Sequence, residues 1–164
     1  MKRFVIAVYV ENKYGVLARV SGMFMRKGFN IDSLTVGETD DPNFSRITIT
    51  VRGDDFLRDQ LTNQLRKLHN VKKVKLLESD TSVERELMLI KIKNTPENRN
   101  EVMAATEIYR AKIIDYATDT MCVEVTGDPA KINAFIDVMK PLGIIEMCRT
   151  GVVALERGSN ILGI

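Results

Sequence analysis

Residues Val10–Gly37 read VENKYGVLARVSGMFMRKGFNIDSLTVG, and this stretch decides the fold. A strand runs into a glycine turn at Gly15. Val16, Val20, Met23 and Phe24 then recur at i, i+4, i+7 and i+8, the period of an amphipathic helix. Arg26 and Lys27 followed by Gly28 read as the end of that helix, and Ile31–Val36 as a second strand. A turn that opens a helix leaves backbone N–H groups without intrahelical partners, and the helix dipole favours negative charge there. Asn12–Leu17 is therefore a natural seat for a small carboxylate. Gly15 lets the chain turn and leaves no Cβ in the way. Asn30, entering the second strand, offers both an amide donor and a carbonyl acceptor.

The pattern extends on both sides and then repeats. Phe4–Val10 is apolar on both faces of a first strand. TDDPN (Thr39–Asn43) is a turn, Ile47–Val51 a third strand, Leu57, Leu61, Leu65 and Leu68 a second helix, and Val71–Leu77 a fourth strand. The order is βαββαβ. After the polar stretch ESDTSVER (Glu78–Arg85), Leu87–Ile92 opens a second unit. Thr95 and Pro96 are expected to start its first helix, carrying Val102, Ala105, Thr106 and Tyr109. Ile113–Ala117 and Met121–Val125 follow as strands. Asp128 caps a helix with Ile132, Phe135, Ile136 and Met139 facing inward, and Ile144–Cys148 closes the unit. Beyond Arg149 a strand extension and a fraying tail are expected. The fold class is α+β, two tandem ferredoxin-like βαββαβ domains, residues 1–78 and 79–164.

Composition excludes several classes of function. The 164 residues are 45% hydrophobic and 28% charged with net charge +2, an ordinary globular mix with no basic stripe for nucleic acid. No apolar run approaches the roughly 20 residues of a membrane span, and the N-terminus lacks a signal-peptide cleavage pattern. Cys122 and Cys148 lie in apolar strands and are expected as buried thiols of a cytoplasmic protein. One histidine, His69, and two cysteines assemble neither a zinc site nor a nucleophile–base pair. Asp40 and Asp41 are solvated turn residues. The third strand, FSRITITV, has one aromatic, Phe44, too few for the stacking platform of an RNA-recognition module. No catalytic and no metal-binding residue is expected; what remains is binding.

The segment ENKYGVLARVSGMFMRKGFNIDSLTVGETDDPNFSRITITV (Glu11–Val51) closely resembles the ACT domain of the acetolactate (acetohydroxyacid) synthase small, regulatory subunit. The likeness continues through VERELMLIKI, TEIYRAKIIDY and RTGVVALERG, covering essentially the whole chain. Tyr14 departs from the smaller or polar residues that family members often carry before the glycine. The resemblance implies that two ACT domains pair side by side in a homodimer and bind valine at their interface. Its ligand residues carry over to Asn12, Gly15, Val16 and Leu17 of one chain and Asn30, Ile31 and Asp32 of its partner. It further implies a large catalytic subunit holding thiamine diphosphate, Mg²⁺ and FAD, with no cofactor and no catalytic activity in this chain alone. The resemblance thus makes this chain an activator and valine feedback element in branched-chain amino acid biosynthesis. The alternative is a free-standing ACT-type amino-acid sensor with a different partner.

Overall fold

Strand β1 (Lys2–Glu11) is apolar on both faces because each face meets a different layer. In the computed structural model, which describes residues Met1–Gly163, β1 lies inside an antiparallel sheet of order β2-β3-β1-β4. Its neighbours are β2 (Ile31–Glu38), β3 (Phe44–Gly53) and β4 (Val71–Leu77). The β1–β3 register runs from Lys2↔Gly53 to Glu11↔Phe44. Helices α1 (Val16–Arg26) and α2 (Asp55–Arg66) cover one face. There Phe4, Ile6, Val8 and Val10 pack with Val20, Phe24, Leu61 and Leu65.

The opposite face carries Val5, Ala7 and Tyr9, and the chain's last segment covers it. Val152, Ala154 and Leu162 pack there with Leu77; Val153–Glu156 forms strand β9. Arg46 donates through Nη2 to the Ala154 carbonyl (2.7 Å), and Lys75 pairs with Glu156 at 2.6 Å. The first compact unit is therefore Met1–Val83 together with the segment from Val152 onward, and Glu84–Gly151 is the second. This corrects the expectation that the tail frays, since Val152, Ala154 and Leu162 are buried. The reason is hydrophobic: Val5 and Ala7 would otherwise leave an apolar stripe on the open side of the sheet.

Local signals account for the helix ends. Gly15 begins α1 at φ 81°, and Gly28 ends it at φ 69°. The Gly28 N–H donates to the Met25 carbonyl and the Phe29 N–H to the Phe24 carbonyl, a Schellman closure. Phe29 then packs edge-on against Phe24, ring centroids 6.4 Å apart. Asp54 caps α2, its carboxylate accepting from the Leu57 N–H at 2.8 Å.

The second unit repeats the plan with sheet order β6-β7-β5-β8. Its elements are β5 (Ser82–Lys93), α3 (Arg99–Ile108), β6 (Lys112–Tyr116), β7 (Thr120–Gly127), α4 (Pro129–Met139) and β8 (Ile144–Arg149). Met88, Ile90 and Ile92 pack against Ile132, Phe135 and Met139. The buried Glu86 carboxylate receives both Nε and Nη2 of Arg149, each at 2.8 Å, a bidentate pair that satisfies the buried charge.

Two expectations change here. Helix α3 starts at Arg99 with Asn98 as its cap, three residues after Thr95. Thr95 and Asn98 instead exchange backbone-to-side-chain hydrogen bonds (2.9 and 3.2 Å), while the Asn98 amide donates to the Lys93 and Leu142 carbonyls. With the Arg99 N–H on the Thr95 carbonyl, this reciprocal pair makes Thr95 open the turn that leads into α3. Cys148 is exposed and Cys122 half-buried, because both stand on the sheet face away from the helices.

Candidate functional site

The βα turn of the first unit is built from three directions. Asn12 is anchored to the β2–β3 turn: its N–H donates to the Asn43 carbonyl (2.7 Å), and Nδ2 to the Pro42 carbonyl (2.9 Å) and Glu38 Oε1 (3.1 Å). The Asn12 amide nitrogen is thus committed within the chain, leaving its carbonyl oxygen to accept from a ligand ammonium. The Lys13 N–H donates to the Glu11 carbonyl, and the Val16 N–H reaches back to that of Lys13 at 3.4 Å. The Arg19 N–H bonds the Gly15 carbonyl. Among the described residues nothing accepts from the Leu17 and Ala18 N–H groups, the second and third of the helix. These two donors, with the positive end of the α1 dipole, are suited to a carboxylate. An open depression of about 480 Å³ lined by Asn12, Lys13 and Tyr14 lies at this turn.

Beneath the turn sits a polar network that periodicity does not signal. The Glu11 carboxylate pairs with Lys72 (2.8 Å) and Lys13 (3.0 Å) and accepts from Asn70 Nδ2 (2.8 Å). Asn70 Oδ1 in turn accepts from Arg19 Nη1 at 2.5 Å, and the Asn70 carbonyl accepts from the Glu11 N–H at 2.9 Å. The Lys72 hydrogen bond, then those of Lys13 and Asn70, hold the Glu11 carboxyl well down, at about 2. Because the folded value lies below the unfolded one, this contribution is complete above about 4.5 and disappears as pH falls towards 2. A carbon-detected NMR titration is expected to place the Glu11 midpoint near 2. Lys72→Met is expected to raise it; an unchanged midpoint would remove Lys72 as the main cause. The one sequence signal for this network is Glu11 itself, a charge closing a strand whose interior, Phe4–Val10, is apolar on both faces.

The candidate residues divide into two groups. Asn12, Gly15, Val16 and Leu17 come together at the start of α1. Leu17 is exposed, but the Val16 side chain is buried in the core, so Val16 borders the turn through its backbone alone. Asn30, Ile31 and Asp32 lie beyond the other end of the 11-residue helix, about 16 Å away at 1.5 Å per residue. Asn30 is exposed; Asp32 accepts from Arg52 Nε at 2.8 Å. One chain does not assemble both groups.

A second cleft of about 730 Å³ lies between the β2–β3 turn and the returning tail, with Arg46, Glu38, Asp40 and Glu156 on its walls. Burial pushes the Arg46 guanidinium down, with Glu156 acting in the opposite sense. Among the described residues no three His, Cys, Asp or Glu side chains are placed to hold a metal. Among them, too, no helix is long and apolar enough to cross a membrane.

Comparison with known proteins is consistent along the chain. Residues 6–73 match a family model described as "AHAS small subunit-like ACT domain", and residues 85–158 one described as "Small subunit of acetolactate synthase". A probable acetolactate synthase small subunit of Archaeoglobus fulgidus is 52% identical over 155 residues, covering 94% of this chain and 97% of that relative. The acetolactate synthase small subunit of Mycolicibacterium smegmatis is 45% identical over 158 residues, covering 96% and 93%. A crystal structure of the acetolactate synthase small subunit from Thermotoga maritima superposes with a TM-score of 0.89 at 38% identity, over 98% of this chain and all of that one.

Proposed function

We propose a valine-sensing role on one premise: this chain belongs to the family of acetolactate synthase small subunits. It is a regulatory subunit whose partner is the large catalytic subunit. The condensation of pyruvate is carried out there, on thiamine diphosphate with Mg²⁺ and FAD, while this chain raises that activity and lowers it again when valine accumulates.

The reading holds that two copies pair through their ACT domains. Asn12, Gly15, Val16 and Leu17 of one copy then face Asn30, Ile31 and Asp32 of the other. The observation that carries it is the bare start of α1, where Leu17 and Ala18 N–H groups stand without an acceptor among the described residues. A valine carboxylate takes those donors, and its ammonium takes the Asn12 carbonyl oxygen and the partner's Asn30. Its isopropyl group lies against Leu17 and the partner's Ile31. The separation of these residues to opposite ends of α1 supports a site shared between two chains.

Feedback on a metabolite pool needs modest affinity. A dissociation constant of about 0.1–1 mM corresponds to roughly 4–5.5 kcal/mol, within reach of two charge-assisted hydrogen bonds and a small buried side chain. A coupling of about 1–3 kcal/mol to the catalytic subunit gives strong regulation. The test is to reconstitute the chain with its large subunit and titrate valine. Activation by the chain and its reversal by valine are expected, with no pyruvate condensation by the chain alone. Activation that valine leaves untouched would reject the sensing role.

A further inference from the structure

We propose that Arg19, held in place by Asn70, is the residue through which this site selects ligands carrying a free α-carboxylate. The inference rests on the valine-sensing reading above and goes one step further, to what sets its specificity. Two open N–H groups at a helix start donate to any oxygen with a lone pair, so a carboxamide or ester carbonyl is taken as well, with a carboxylate favoured by the helix dipole. A fixed positive charge close by sharpens that discrimination.

Arg19 meets that need by position. It lies four residues into α1 from Gly15, and helical side chains run back towards the N-terminus, over the preceding turn. Its guanidinium goes to Asn70 Oδ1 at 2.5 Å rather than to a carboxylate, so its charge is oriented but not neutralised. Asn70 is buried and doubly fixed, its carbonyl accepting from the Glu11 N–H and its Nδ2 donating to Glu11 Oε2. It has no freedom to follow a moving arginine. The neighbouring cations are differently placed: Lys13 and Lys72 both pair with Glu11, and Glu38 is turned to Asn12. Around the turn, three cations stand against two carboxylates, and Arg19 is the one cation of the network given to a neutral partner. Asn70 is thus a positioning residue acting through Arg19.

The test is an NMR titration of the full chain with valine and, separately, with valinamide, which keeps the ammonium and isopropyl groups but lacks the carboxylate. Arg19 is exposed and contributes nothing to the core, so Arg19→Gln is expected to melt with the parent. It is expected to bind valine about fivefold more weakly, the size of one solvent-facing charge at close range. Valinamide affinity is expected to be the same in parent and variant. The valine difference should shrink as salt rises from about 50 to about 500 mM, and Arg19→Lys should restore most of it. Asn70→Ala is expected to reproduce the loss of valine-over-valinamide preference, a readout that mere loosening of the fold would not move selectively. If Arg19→Gln keeps the full preference for valine and the same salt dependence, Arg19 has no such role although the parent still senses valine. A parent chain that binds neither ligand would overturn the sensing reading and this inference with it.

Discussion

A Gly15→Asp chain is expected to lose valine binding by about a hundredfold or more while its association with the catalytic subunit stays intact. A Cβ at this position meets no atom within 4 Å, so a clash with the chain at Cβ is not the cause. Two other effects remain. Residue 15 stands at φ 81°, which costs a non-glycine residue roughly 1–2 kcal/mol. The larger effect is electrostatic. The new carboxylate sits where the ligand's own carboxylate must come, repels it, and competes for the Leu17 and Ala18 N–H groups as a helix-capping side chain. Gly15→Ala separates these effects, because it carries the strain without the charge and is expected to weaken binding only modestly. Calorimetry on the three chains decides the matter. Equal affinities for the Ala and Asp variants would show that the carboxylate does not bind at this turn.

The second large effect concerns stability. Ala154 is 5% exposed, packed with Val5, Ala7 and Leu77 on the outer side of the first sheet. Ala154→Asp buries a carboxylate among those apolar side chains, where the nearby Arg46 is already given to the Ala154 carbonyl. The cost is expected to be about 3 kcal/mol or more, a large share of a total near 5–15 kcal/mol. Its next neighbour provides the control: Leu155 is 62% exposed, and Leu155→Asp is expected within about 0.5 kcal/mol of the parent. Denaturant melts give both numbers. Hydrogen exchange at β9 and β1 should report detachment of the tail in the first variant alone. Equal stability of the two variants would mean that residues 152–162 do not pack on this sheet in solution.

Much of this fold is legible in short stretches. Val16, Val20, Met23 and Phe24 recur at helical spacing, and those four are the buried residues of α1; Ile132, Phe135, Ile136 and Met139 do the same for α4. Gly28 ends its helix by the αL closure that a glycine after two basic residues suggests. Where expectation and structure part, a longer-range contact has overruled a local preference. Thr95-Pro96 opens the turn before α3 as composition suggests, but the regular helix starts only at Arg99, past Asn98, whose amide is also tied to the Leu142 carbonyl 44 residues away. Cys148 sits in an apolar-looking strand, yet its side of the sheet is the uncovered one.

Sequence alone determined the two βαββαβ units, the helix faces and the glycine-opened turn, because each depends on residues within about one helical turn or one strand of each other. Only the tertiary structure decided that the last segment returns to cover β1, and that Arg19 meets Asn70 and Asn70 meets Glu11 across 51 and 59 residues. Those outcomes follow from burying the second face of β1 and satisfying its terminal charge. Both are demands of the packed molecule, and no short stretch of chain encodes them.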